Sequence, residues 1–141
     1  HKTVIGANIA ADPKLPLSFD DYAEGGTFAY LVRIGGHVLF LASTANFIER
    51  EVDGLRPDVA IVATGLRDEL FDYTGRLMRA LGGPPVVLTN HFDDWRAPPE
   101  RCTVGRPAPS DDLAAFTDEV HAVAPATRVI VPCPFEPITL P

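Results

Sequence analysis

Thr27-Phe28-Ala29-Tyr30-Leu31-Val32-Arg33-Ile34-Gly35-Gly36-His37-Val38-Leu39-Phe40-Leu41 is the stretch that decides the fold class. Its first half alternates Phe28, Tyr30, Val32 and Ile34 with Ala29, Leu31 and Arg33, the two-residue period of a strand, in residues that favour extended backbone. Gly35-Gly36 is a two-residue hairpin signal. The return strand, His37 to Leu41, is continuously apolar after the histidine and reads as buried on both faces.

Downstream of this hairpin the pattern changes to alternating helices and strands. Ala42-Ser43-Thr44-Ala45-Asn46 forms a small-residue turn. A helix is expected from Phe47 to about Val52, with Asn46 as its N-cap and Glu49 three residues later in a capping-box pattern. Asp58 to Ala63 reads as a buried strand. A second helix runs from about Tyr73 to Leu81, with Leu77, Met78 and Leu81 on one face and Gly82-Gly83 as its stop. Pro85 to Thr89 is another buried strand. Ser110-Asp111-Asp112 opens a third helix to about Val123, amphipathic through Leu113, Phe116, Val120 and Val123. Thr127 to Val131 is the last strand, and Pro132, Pro134 and Pro137 make the tail an edge or a loop. Upstream, residues 2–6 could form a short strand and residues 10–26 read as loop, as do residues 96–110. The order is a hairpin followed by α-β-α-β-α-β, an α/β chain whose mixed sheet carries helices on its outer face.

Composition sets outer bounds. The chain has 141 residues, 46% of them apolar and 22% charged, which suits one globular domain over residues 1–141. Twelve Lys and Arg face nineteen Asp and Glu, a net charge of −7, the wrong sign for a phosphate-backbone partner. No apolar run reaches the roughly 20 residues of a membrane span. The fourteen prolines call for many stiff loops. Cys102 and Cys133 are too few for a disulfide framework and form no C-x-x-C pair. As separate thiols they fit the cytoplasm; joined, they would tie the Pro-rich loop to the last strand and point to an oxidising compartment. The first residue is His1 and the only Met is Met78, so a processed, cleaved or partial chain is expected.

Ligand sites in open α/β sheets lie beyond the carboxyl ends of the strands. Two places qualify: the turn 42–46 after Leu41, and Asn90-His91-Phe92-Asp93-Asp94-Trp95 after Thr89. The second gathers a histidine, two carboxylates and a tryptophan, a mix suited to metal ligation or acid–base work. The plainer alternative is that His91 bonds a neighbouring carbonyl, that Asp93 and Asp94 are loop or cap residues, and that Trp95 is core or a pocket wall. His37 and His121 read as surface residues. Ser43 lacks a G-x-S-x-G context, and there is no Gly-rich phosphate loop.

Gly25-Gly26-Thr27 through Leu41 with Ala42-Ser43-Thr44, followed by Leu88-Thr89-Asn90-His91-Phe92-Asp93-Asp94-Trp95, resembles the metallo-β-lactamase-fold hydrolases, and among them the ascorbate-6-phosphate lactonase-like branch. The segments Asn46–Glu51 and Gly54–Asp58 also look like bacterial members of that family, and the likeness spans roughly residues 20–100. In the family a hairpin leads into a turn whose Asp bridges two metals, and a late strand ends at a metal-binding His. The resemblance implies that His91 is a metal ligand, that His1 is a second, and that Ser43, standing where the bridging Asp would be, is a marginal third. Asp93 or Asp94 would orient His91 or bind substrate, with Asp93 and Ser43 acting in catalysis. It implies Zn²⁺ or Mn²⁺, one or two ions, shared with residues outside this chain. The family's His-x-His-x-Asp-His motif is absent from the 141 residues. The chain is therefore expected to be the C-terminal half of an αββα sandwich, partnered by the missing N-terminal half and acting on a small-molecule lactone, ester or phosphoester. The alternative is a degenerate, non-catalytic domain of the same fold that binds a ligand or partner.

Overall fold

The computed structural model describes residues 15–16, 28–93, 112–133 and 135–140. The strands β1 (Ala29–Ile34), β2 (His37–Ala42), β3 (Val59–Ala63), β4 (Val86–Asn90) and β5 (Arg128–Ile130) form one mixed sheet in sequence order. β1 and β2 are antiparallel, joined by Gly35-Gly36 with φ of 58° and 86°, the doubly positive turn that matches strand twist. The other pairs are parallel and need crossovers. These carry the helices α1 (Glu49–Val52), α2 (Tyr73–Leu81) and α3 (Leu113–Val123). The chain is an α/β fold. The strand following α3 is short, Arg128–Ile130, where the sequence suggests 127–131.

Strands added in sequence order, with crossovers of one handedness, leave every helix on the same side. The core shows this arrangement. Leu31, Phe40, Ala60, Val87 and Val129 are register partners across the five strands, as are Ala42 and Val62 two residues on. They pack with Val52 of α1, Leu77, Met78 and Leu81 of α2, and Phe116 and Val120 of α3.

The opposite face is also apolar. Tyr30, Leu41, Ile61, Leu88 and Ile130 form one register row, and none of them joins the helix-side core. Tyr30 is exposed and the other four are half-buried. The expectation that β2 is buried on both faces is therefore corrected. Phe40 and Ala42, which meet the helices, are buried, whereas Val38, Leu39 and Leu41 are only half-buried.

Helix α2 occupies the expected residues 73–81, and Gly82 closes it at φ 77°. The backbone N–H groups of Gly82 and Gly83 donate to Arg79 and Met78 carbonyls, the left-handed cap that glycine permits. Asp112 caps α3, its Oδ1 accepting the Ala115 N–H at 2.9 Å. Helix α1 departs from the expected 47–52: it is a single turn, Glu49–Val52, with Ile48 rather than Asn46 at its N-cap. The Asn46 Oδ1 accepts the Phe47 N–H instead. Phe47 is drawn away, edge-on to Tyr73 at 6.0 Å and beneath the Arg76 guanidinium at 5.3 Å, while Glu49 pairs with Arg76 at 2.6 Å. Phe47 is used in packing on α2, so the helix starts later.

Polar ties close the strand ends. At the amino edge, Asp58 accepts the Val38 N–H on its carboxylate at 2.7 Å and donates its own N–H to the Val38 carbonyl at 2.8 Å. Thr127 Oγ1 donates to the Pro84 carbonyl at 2.8 Å, and its own carbonyl lies 3.0 Å from His121 Nε2. Arg67, 3% exposed, joins the turn after β3 to α3: it donates to the Asp112 carbonyl at 2.6 Å, lies 3.5 Å from Glu119, and sits over the Phe116 ring.

Two stability outcomes follow from the burial of Leu77 and the exposure of Ile34. Leu77→Ala should lower unfolding free energy by about 3 kcal/mol in urea titration, whereas Ile34→Ser, on the exposed hairpin, should change it by under about 0.5 kcal/mol. The Tyr73 hydroxyl is buried without a hydrogen-bond partner among the described residues, and burial pushes its pKa up to about 12. The neutral form is the one the fold tolerates, so this contribution is intact below pH 10 and is lost between pH 10 and about 12 as the unfolded chain alone ionises. Tyr73→Phe should raise stability at pH 7 by about 1 kcal/mol and remove that alkaline loss relative to the parent protein.

Candidate functional site

The carboxyl ends of the parallel strands form one rim of the sheet. Ala42, Val62 and Thr89 are register partners on β2, β3 and β4. The rim is therefore built from Ser43 after β2, Thr64-Gly65 after β3, and Asn90 to Asp93 at the end of β4. Residues 131–133, after β5, continue it.

His91 is the most constrained residue of this rim. Its φ is 55°, in the left-handed region that costs a residue with a side chain roughly 1–2 kcal/mol. Its backbone is tied at both ends: its N–H donates to Asn90 Oδ1 at 2.7 Å and its carbonyl accepts the Gly65 N–H at 3.1 Å. The neighbouring bond from the Thr64 N–H to the Asn90 carbonyl, 2.9 Å, extends the β3–β4 ladder into the loops. The side chain itself is exposed. The backbone is thus fixed while the imidazole stands open to solvent, an arrangement that could present a ring nitrogen to a ligand. Strain held by surrounding structure clusters at working sites.

Ser43 is also exposed at the rim, but on β2. The whole width of β3 separates it from the β4 end, two strand spacings or about 10 Å. Asp93, two residues past His91, is exposed as well. His1, Asp94, Trp95 and Cys102 lie outside the described residues, as do the expected strand 2–6 and the loop 96–110. Cys133 is half-buried just after β5. His37 is exposed at the start of β2, and His121, although exposed, has its ring within bonding distance of a carbonyl.

Among the described residues, no three His, Cys, Asp or Glu side chains gather closely enough to hold a metal ion. The exposed polar side chains of the rim include the His91 imidazole, the Asp93 carboxylate and the Ser43 hydroxyl, so among the described residues it can contribute ligands to a centre but does not complete one. Beside Ser43, on the helix side of the sheet, a groove of about 760 Å³ runs between β1, β2 and α1. Leu31, Phe40, Phe47, Ile48 and Leu55 give it an apolar lining, and Glu51 is its carboxylate.

Sequence reasoning placed His91 and Ser43 at strand ends but did not single out Gly65 or Asn90. The available signal was position: both stand at the carboxyl end of a buried strand, where the loops of neighbouring strands must meet.

No family model, curated protein or solved structure matches this chain. No described helix is long and apolar enough to cross a membrane.

The strain at position 91 is directly measurable. His91→Gly should be more stable than His91→Ala by about 1 kcal/mol in urea titration, because glycine accepts the positive φ and alanine does not.

Proposed function

We propose that this chain is the second half of a two-sheet αββα sandwich of the metallo-β-lactamase type. In this reading it supplies His91 to a metal-dependent hydrolytic site completed by groups outside the described residues. The observation that carries it is the apolar sheet face opposite the helices, the row from Tyr30 through Leu41, Ile61 and Leu88 to Ile130. Two sheets that pack face to face bury such rows against each other, and the apolar surface that this row still exposes, from Tyr30 to the half-buried Ile130, favours association. The preceding half of the sandwich is the occupant that this face fits.

The rim chemistry supports the same reading. A bound Zn²⁺ or Mn²⁺ would supply an activated water and polarise a carbonyl or phosphoryl oxygen. The chain's own part is to hold a ring nitrogen of His91 in place through the fixed backbone at residues 90–91. Asp93 would orient that ring or the substrate. Ser43 stands at the β2 end, where the resembled family has a carboxylate. A hydroxyl there brings no negative charge, so it favours one ion over two. The groove beside Ser43 would take the apolar, non-reacting part of a lactone, ester or phosphoester substrate, as small-molecule pockets usually do. His1 would be a second ligand.

A non-catalytic domain of the same fold, binding a ligand or partner, is favoured by one observation, the exposed Ser43 at the β2 end, where the resembled family has a metal-bridging carboxylate.

Native mass spectrometry and sedimentation of the full chain test the proposal. The expected particle is heavier than 15.2 kDa, contains a companion polypeptide and carries transition-metal ions. Ile61→Glu and Leu88→Glu should each release the chain as a monomer. A parent chain that remains a cooperatively folded, metal-free monomer would overturn the sandwich reading. An assembled but metal-free particle would favour the non-catalytic domain.

A further inference from the structure

We infer that Gly65 is the positioning residue of His91, acting from the neighbouring loop through the backbone. The inference rests on the reading of His91 as a metal ligand and adds what sets that ligand's geometry. Gly65 donates its N–H to the His91 carbonyl at 3.1 Å. A Cβ built on Gly65 would lie 2.5 Å from that same carbonyl oxygen and 3.7 Å from His91 Nδ1. The first distance is a clash with backbone, which a side-chain rotation cannot relieve. Any residue other than glycine must therefore push the His91 peptide away from β3. The second distance puts the imidazole in van der Waals reach of any carbon added there.

Gly65 is thus selected for close approach rather than for an unusual φ. It is the His91 backbone that carries the left-handed conformation, and two bonds hold it there, one from Gly65 and one to Asn90. If Gly65 gains a methyl group, the loop after β3 and the loop after β4 separate, and His91 relaxes toward ordinary backbone. The ring nitrogen then leaves the position it holds at the rim. Partners that orient a metal ligand typically contribute 10–100-fold in affinity.

The test uses the full 141-residue chain labelled with ¹⁵N-histidine and titrated with Zn²⁺ alone. Ring nitrogen signals are assigned through single His→Gln variants. In the parent chain the His91 ring signal should move with Zn²⁺. In Gly65→Ala the half-shift concentration should rise at least about ten-fold, with the ring signals of His37 and His121 unchanged in the absence of Zn²⁺. Asn90→Ala removes the other tie without introducing a clash and should weaken the response in the same direction, which keeps the test decisive should Gly65→Ala fail to fold. If His91 responds equally in the parent and in the variants, Gly65 does not position it, and the ligand reading stands. If the His91 signal is indifferent to Zn²⁺ in the parent chain, the ligand reading falls and this inference falls with it.

Discussion

Contact between one row of the sheet and the three helices is the interaction on which the rest depends. Phe40, Ala60 and Val87 lie side by side on β2, β3 and β4, and α2 presses Leu77, Met78 and Leu81 onto that side of the sheet. A parallel pair cannot be closed by a tight turn, so each new strand requires a crossover. Each crossover returns on the same side. The helix-side core is therefore a single layer between the sheet and the helices, while on the far face Val59, Ala63 and Val86 are buried beside the half-buried row of Leu41, Ile61, Leu88 and Ile130. Arg67 belongs to the same scheme: its buried guanidinium ties the turn after β3 to the start of α3 and rests on Phe116, one of the largest core residues.

That layering also places the rim. Parallel strands end together, so the loops leaving β2, β3 and β4 meet along one edge. They are not equally held. The loops after β3 and β4 are bonded to each other through Thr64, Gly65, Asn90 and His91, whereas Ser43 leaves β2 exposed. A functional group at position 91 is therefore presented by a stiff support.

The hairpin was legible because its period and its glycine pair act locally. The cap of α3 and the stop of α2 were legible for the same reason: Asp112 and Gly82 act within their own helix ends. The start of α1 was not. Asn46 and Glu49 make a sound local capping pattern, but Phe47 gains more by packing on Tyr73 and Arg76, which lie across the fold. The burial of β2 was misread because a continuous apolar run does not say whether its second face is covered. His91 was visible as a chemical type, but its left-handed backbone was not, because one of the two bonds that hold it comes from Gly65, 26 positions earlier in the chain.

The two margins of the sheet differ in a way that gives it a direction. β5 spans three residues and runs straight into Val131 and Pro132, and a proline offers no N–H to a further strand. β1 spans six residues, with Tyr30, Val32 and Ile34 exposed along it, and β2 is its one ladder partner among the described residues. Long apolar margins are templates for further strands, and short proline-bounded ones are not. The sheet is blunt at one end and adhesive at the other, so misassembly during expression or refolding would propagate from the hairpin side. A lysine placed on the exposed flank of β1 would act as a gatekeeper against it.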